Sequence, residues 1–418
     1  MKRNLDIKSE DNFMKGFKYY KSNKPEPSLD KVVRIQYNMP IEVNNISNVI
    51  EDDSRTELLG LRNFTDWKTY TFSKHSGLFL IANPFTSLGQ RLWIRKCLED
   101  YPRKPNKTNI DIEKHIEDWW REIHKNDELD RKLQKKLRWT TLGYHYNWDT
   151  KVYTENNRNV FPLELAELCD VVSQYLGYIH FKAQAAIVNY YHMGSTLSAH
   201  TDHSEVNLEA PLLSFSFGQS AIFLIGGQEK SHEPSAILLN SGDILVMSKE
   251  ARLCYHAVPK ILQASDQPWN NYEELIEIAN NDIKTKYINE ETFINEINRN
   301  ADNKEWSRFG SYVEESRINV NNMPGAPYWI EVTISPWLIK MTKPDIFHMR
   351  CRIAKCGRIV IIHTNVIISK RNQCELCVNK DFLYLSTGIS FTLKRNSLQS
   401  YNLFDAQKLK EPPYGIKM

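Results

Sequence analysis

The chain is expected to be an α+β protein: a double-stranded β-helix (jelly roll) with flanking helices, followed by a poorly matched C-terminal tail. Short apolar runs bounded by Gly, Asn, Ser or Pro succeed one another from residue 183 to about residue 259, the rhythm of an antiparallel sandwich or barrel. Around these runs, apolar residues recur at helical spacing. Hydrophobic content of 41% and charged content of 25% are those of a soluble globular protein.

Taken in order, residues 8–22 place Phe13, Phe17 and Tyr20 at helical spacing, which predicts a short amphipathic helix. Pro25 and Pro27 mark residues 23–35 as a linker or extended arm. Ile112, Ile116, Trp119 and Ile123 fall at i, i+4, i+7 and i+11 and predict one apolar stripe on a helix with a charged opposite face. A further helix is expected from Pro162 through Leu165, Leu168 and Val172, with Gly177 placed to stop it. The strand candidates are Ala185–Tyr191, Leu212–Phe217, Ala221–Ile225, Ala236–Leu239 and Ile244–Met247, with Gly226-Gly227 and Ser241-Gly242-Asp243 as turns. Residues 261–310 are polar and Asn/Glu-rich, with a helical stretch around Leu275–Ile297, and are expected to be an insertion on the sandwich surface. The organisation is therefore residues 1–35 as N-terminal helix and arm, residues 36–322 as the main domain, and residues 323–418 as the tail.

Net charge is +3, but residues 323–418 carry 14 Lys+Arg against 6 Asp+Glu, a net of +8, leaving −5 for the remainder. A polyanion bound by the main body must therefore meet a local basic face. No apolar run reaches the roughly 18 residues that cross a bilayer, and the beginning of the chain lacks the apolar core of a secretory signal. Seven scattered cysteines form no disulfide pattern. An intracellular location (nucleus, cytoplasm or mitochondrion) is expected.

His200-Thr201-Asp202 places two metal-capable side chains one residue apart, so on a strand both point to the same face. Two His and one carboxylate on one face leave coordination positions open, as non-haem iron requires for a cosubstrate and O2. The third ligand must come from a distant strand, and His256 is the best candidate. By itself the His-x-Asp pair is weak evidence among 12 histidines, and His192 and His203 lie nearby.

The order of the surrounding motifs adds to this. Asn189-Tyr190-Tyr191 precedes Gly194, Leu197 and His200-x-Asp202; Leu212–Gly227, Ser241-Gly242-Asp243, Arg252…His256-Ala257-Val258-Pro259 and Arg317-Ile318-Asn319 follow. This order resembles the AlkB family of Fe(II)- and 2-oxoglutarate-dependent dioxygenases. Leu137-Arg138-Trp139 and Gly143-Tyr144-His145-Tyr146-Asn147-Trp148 are similar to its AlkB homologue one branch. The similarity covers roughly residues 10–320.

The resemblance implies oxidative demethylation of methylated tRNA and/or DNA, with Fe(II), 2-oxoglutarate and O2 as cofactors. The implied substrates are 1-methyladenine in tRNA and N6-methyladenine in DNA. It implies that His200, Asp202 and His256 hold the iron and that Asn189, Tyr191, Arg317 and Asn319 hold 2-oxoglutarate. A cosubstrate carboxylate inside a barrel needs a charge-assisted partner, and Arg317 fits that need. Trp139, Tyr144, Tyr146 and Trp148 lie beside the basic run Arg131–Arg138. Composition alone reads them as a solvated helix face and a core aromatic cluster; the resemblance points to a nucleic-acid face, with Ser204 also toward the base.

Two features depart from the family. Met323 stands where the resemblance places a second arginine, and Pro324-Gly325-Ala326-Pro327 ends that strand. A non-catalytic binder of RNA or protein, with an impaired cosubstrate site, is therefore the alternative. Residues 323–418 match nothing in the family, and an alternative splice end or a disordered segment is expected there. Cys351, Cys356, Cys374 and Cys377 offer a competing zinc reading, although only Cys374-x-x-Cys377 has knuckle spacing.

Overall fold

In the computed structural model the described residues are 10–35, 53–125, 128–205, 207–271, 283 and 285–324, together with the backbone of strands at 43–46 and within 329–394. The chain divides into two units, Met1–Ala326 and Pro327–Met418.

In the first unit the strands are β1 (Val43–Ile46), β2 (Lys68–Phe72), β3 (His75–Ala82), β4 (Lys107–Thr108), β5 (Trp139–Gly143), β6 (Ala185–His192), β7 (Leu197–His200), β8 (Leu212–Gly218), β9 (Ser220–Ile225), β10 (Ser235–Leu239), β11 (Ile244–Met247), β12 (His256–Leu262) and β13 (Ser316–Met323). The helices are α1 (Asn12–Lys21), α2 (Arg55–Leu58), α3 (Ser87–Arg95), α4 (Trp119–Ile123), α5 (Arg131–Lys136), α6 (Leu163–Tyr175), α7 (Glu290–Arg299) and α8 (Asn303–Val313). A nine-stranded sheet runs β1-β2-β3-β11-β8-β13-β6-β5-β4, and a four-stranded sheet runs β10-β9-β12-β7. All their pairings are antiparallel.

The period of two along each strand sorts side chains between a helical layer and the inter-sheet space. From the large sheet, Val188, Phe215, Phe217, Ile244, Ile318 and Val320 join a core with residues of α3, α6, α7 and α8. On the other face, Leu80, Tyr191, Leu212 and Leu245 meet Phe223, Ile225 and Val258 of the small sheet. Each fully buried large apolar side chain contributes about 1.5–3 kcal/mol. The small sheet's outer face is covered by α1, whose Phe13, Phe17 and Tyr20 pack on Ile222, Leu224 and Ala257. Asp11 caps that helix, accepting from Met14 N at 2.8 Å. The arm at residues 23–35 lacks helix and bridges β10 through Val33 and Ile237.

The five strand candidates appear as β6, β8, β9, β10 and β11, and the helix begun by Pro162 is α6. Gly177, at φ +83°, takes the left-handed conformation that ends it. The predicted stripe from Ile112 to Ile123 is not one helix. Thr108 and Asp111 form a capping box on the short turn Asn109–Ile112, the chain bends, and Asp118 starts α4 anew. Ile112 is left 84% exposed, because two competing caps outweigh one stretch of helical periodicity. The segment 261–310 is more than a surface addition, since Trp269 and Ile297 are fully buried in the helical core. Its expected helix around Leu275–Ile297 lies partly outside the described residues; α7 is the part described.

The second unit carries β14 (Trp329–Thr333), β15 (Phe347–Lys355), β16 (Arg358–Ile368), β17 (Gln373–Val378), β18 (Asp381–Ser386) and β19 (Ser390–Lys394), in one sheet ordered β18-β17-β16-β15-β14-β19. The side chains of the four cysteines proposed as zinc ligands lie outside the described residues. No helix among the described residues is long and apolar enough to cross a membrane.

Candidate active site

The two histidines face each other because their strands pair. His256 of β12 is directly opposite His200 at the end of β7, and their ring centroids are 4.2 Å apart. Each ring has its Nδ1 occupied by a carbonyl two residues earlier. His200 Nδ1 donates to Ser198 O at 2.9 Å and His256 Nδ1 to Cys254 O at 3.2 Å. This turns both Nε2 atoms toward one point, with the other ring N–H anchored as metal-binding histidines require. Asp202 supplies the carboxylate, with Oδ1 3.7 Å from His200 Nε2 and Oδ2 3.4 Å from His256 Nε2. The three ligand atoms lie within 4.8 Å of one another, the one such grouping among the described residues.

The electrostatics favour a cation there. Burial pushes the Asp202 carboxyl up, but His256 and then His200 outweigh it and hold the group well below the usual carboxylate range. Burial, with the neighbouring His256, holds His200 below the ordinary histidine value. Burial pulls His256 down as well, yet the charge of Asp202 and its hydrogen bond leave it raised. An ionised carboxylate beside two imidazoles, with one face open, fits a divalent ion of the ferrous kind.

His256 also lines a cavity between the sheets, whose other polar walls are Tyr191, Ser214, Arg317, Asn319 and Asn321. Arg317 lies in it 1% exposed. Its guanidinium donates to Gln219 O at 3.1 Å, to Leu239 O at 3.5 Å and to Ser216 Oγ at 2.8 Å. Its Nε has no partner, and no carboxylate stands in ion-pair contact with it among the described residues. Burial pulls this group down to about 10, against Tyr191 and Asp243, so it remains charged at neutral pH. Burial pushes Asp243 up to about 7 despite N–H bonds from Asn240 and Asn83, so it offsets Arg317 only in part. A buried guanidinium without a counter-ion costs several kcal/mol; an anionic ligand entering the cavity removes that cost. Burial pushes the Tyr191 hydroxyl up to about 12 with Arg317 opposing, which keeps it a donor.

The ladder explains this cradle. Arg317, Asn319 and Asn321 are successive same-face residues of β13, opposite Tyr191, Asn189 and Ile187 of β6. Asn319 Nδ2 is held by Ser214 Oγ at 2.8 Å and Phe215 O at 3.1 Å. Asn189 sits in the row between Trp139 and Asn319, half-buried, and does not line the cavity. Asn321, Ser214 and Ser216 escaped the sequence reading. The alternation Arg317-x-Asn319-x-Asn321 is the signal that points to the first, whereas the serines sit in an apolar run and carry no signal of their own. Met323, last residue of β13, turns to the opposite end of that row. Its Sδ accepts from Tyr153 Oη at 3.1 Å, and it packs with Tyr144 and Ala185.

The aromatic segment divides in two. Trp148 is 49% exposed, with its ring 5.2 Å from Trp139 and 4.8 Å from Tyr146. Tyr146 Oη is 3.2 Å from Ser204 Oγ, two residues beyond the Asp202 ligand. Tyr144 is not brought to this surface: it is 2% exposed and donates to Glu155 Oε1 at 2.8 Å. Helix α5 presents Arg131, Lys132, Lys135 and Lys136, all exposed. Lys136 pairs with Glu113 and Arg131 with Glu315, while Lys132 and Lys135 make no ion pair among the described residues.

Comparison with known proteins agrees with this geometry. The model of the 2OG-Fe(II) oxygenase superfamily matches residues 77–322, which include the three ligand candidates and Arg317. The chain is 39% identical over 287 residues to the "Nucleic acid dioxygenase ALKBH1" of Mus musculus, covering 62% of this chain and 72% of that protein. It is 36% identical over 219 residues to a "tRNA demethylase" of Schizosaccharomyces pombe, covering 47% of this chain and 72% of that protein. A "DNA N(6)-methyladenine demethylase" of Arabidopsis thaliana is 26% identical over 336 residues, covering 72% of this chain and 88% of that protein.

Proposed function

Since the chain belongs to the 2OG-Fe(II) oxygenase superfamily, we propose that it removes methyl groups from nucleic acid oxidatively, with 1-methyladenine in tRNA as the preferred substrate and N6-methyladenine in DNA as a second. The observation that carries this reading is the combination of three parts: a His-Asp-His trio, a cavity lined by a buried Arg317 with no carboxylate in ion-pair contact, and an exposed Trp148 linked through Tyr146 to the ligand loop.

His200 and His256 through Nε2, with the Asp202 carboxylate, would hold Fe(II). Arg317 would take the far carboxylate of 2-oxoglutarate, with the Tyr191 hydroxyl as a second donor. When bound, iron with 2-oxoglutarate and O2 supplies oxidation of a methyl C–H bond, and the hydroxylated methyl group leaves the base as formaldehyde. Phe223, Leu239, Leu245, Met247 and Val258 wall the cavity with apolar surface, which excludes water and strengthens the electrostatic contacts inside. Trp148 and Trp139 would stack the extruded base, and Lys132 and Lys135 would meet phosphates. The relatives named as nucleic acid dioxygenase, tRNA demethylase and DNA demethylase support this substrate class.

The test supplies purified chain with Fe(II), 2-oxoglutarate and either 1-methyladenine tRNA or N6-methyladenine DNA. Expected are succinate, formaldehyde and loss of the methyl mark, all abolished by His256→Ala. Turnover with peptides and none with methylated nucleic acid would sink the reading.

The second reading, a non-catalytic nucleic-acid binder, draws on Met323, which offers no positive charge where the resemblance implies one. It predicts RNA binding without succinate release, and turnover gained on Met323→Arg in the otherwise unchanged chain.

A further inference from the structure

Pairing between β7 and β12 places the two histidines, but it does not place the carboxylate. The paired residues of β7 run from Leu197 to His200, and Asp202 lies beyond them in the irregular segment 201–205. A carboxylate on an unpaired loop has no ladder to hold its backbone, so something else must set its position.

That role falls to a side chain absent from the ligand set. Arg252 is 0% exposed, on the short turn Lys249–Leu253 that leads into β12 and His256. One terminal nitrogen, Nη1, donates to the main-chain carbonyl of Asp202 itself at 2.6 Å. The other, Nη2, donates to Glu205 Oε2 at 2.8 Å, and Glu205 is 7% exposed. The planar guanidinium thus spans two acceptors three residues apart in one loop, a rigid fork that an ammonium group cannot reproduce. It also ties the segment that carries the first two ligands to the segment that carries the third.

We propose that Arg252, with Glu205 as its counter-ion, is the positioning residue that holds the Asp202 carboxylate in ligating reach of His200 and His256. This inference rests on reading the trio as the metal site. Partners that orient ligands in this way are worth about 10- to 100-fold in metal affinity. Breaking a buried ion pair by removing one partner is strongly destabilising, so a single substitution can confuse folding with metal binding. Replacing both charges by hydrogen-bonding neutral groups separates the two effects.

The experiment measures Mn(II) affinity of the full chain by electron paramagnetic resonance or calorimetry, for the natural sequence, Arg252→Lys, Arg252→Gln and Arg252→Gln/Glu205→Gln. Melting without metal is recorded for each. The expected result is affinity weaker by about 10- to 100-fold in the double variant, with metal-free melting close to that of the natural chain. Arg252→Lys is expected to recover only part of the loss. If the folded variants bind Mn(II) as the natural chain does, the proposal is overturned, even where their melting temperature falls. If no substitution yields a folded chain, Arg252 serves the core and the proposal is withdrawn. Failure of the natural chain to bind Mn(II) would instead overturn the metal reading of the trio.

Discussion

The two ends of the candidate site are built on opposite principles. At the inner end, Arg317 is 1% exposed and donates three hydrogen bonds, inside a row of paired strands. At the outer end, Trp148 is 49% exposed and follows β5 on an irregular segment, touching mainly other rings. A small dianion of constant shape suits a cradle whose geometry is set in advance. A nucleic acid that must splay out a base suits an exposed aromatic and exposed cations. The same difference in burial governs how much each residue is worth, since a charge contact in low dielectric is stronger than one in water.

The largest effect is expected at the inner end. Arg317→Ala should weaken 2-oxoglutarate binding by about 30- to 4,000-fold, corresponding to the 2–5 kcal/mol typical of a truncated buried charge pair. Calorimetric titration checks this, and a change below about threefold would place the cosubstrate elsewhere.

Next in size is a dependence on pH. His256 is raised by Asp202, so in the metal-free chain its proton stabilises the fold below the ordinary histidine value, and that contribution disappears as pH rises through the folded value. Metal must displace that proton. Between pH 6 and pH 8, Mn(II) affinity should therefore rise with pH, by at most about tenfold per pH unit for the one proton displaced, and level off once pH passes the raised folded value of His256. Asp202 is lowered; its contribution is present above the ordinary carboxylate range and is lost only in acid, outside this window. Melting curves with and without Mn(II) across that range test the sign.

Trp148→Ala should cost about 1–3 kcal/mol in nucleic-acid binding, the usual worth of one stacked base, while 2-oxoglutarate affinity stays unchanged. A matching loss at both ends would contradict the division drawn above. The smallest effect is expected from Lys135→Ala, which should weaken RNA binding slightly and lower its salt slope by nearly one. Fluorescence anisotropy at several salt concentrations measures both.

Legibility followed the range of the interactions. Helix α6 could be read because Pro162 and Gly177 act on their own neighbours, and the strands because short apolar runs between turn residues are a local signal. The stripe through Ile112 misled because helical spacing is present, yet Thr108 with Asp111, and then Asp118, cap two separate turns. Tyr144 and Tyr146 share one aromatic cluster in sequence, yet one donates to Glu155 inside and the other stands beside Ser204. Asn321 was missed since a neutral amide carries no motif until its row is known to face a cavity.

From the sequence alone came the chemical identities: two histidines and a carboxylate with open positions, one arginine for an anion, and a tail differing in charge from the body. Only the tertiary structure decided which groups meet. His256 reaches Asp202, Arg317 faces the cavity between the sheets, Met323 lies against Tyr153, and Arg252 grips the carbonyl of Asp202. The reason is physical: propensity and periodicity act over a few residues, whereas these contacts join positions 50 to 170 residues apart and exist only once two sheets close on a common core.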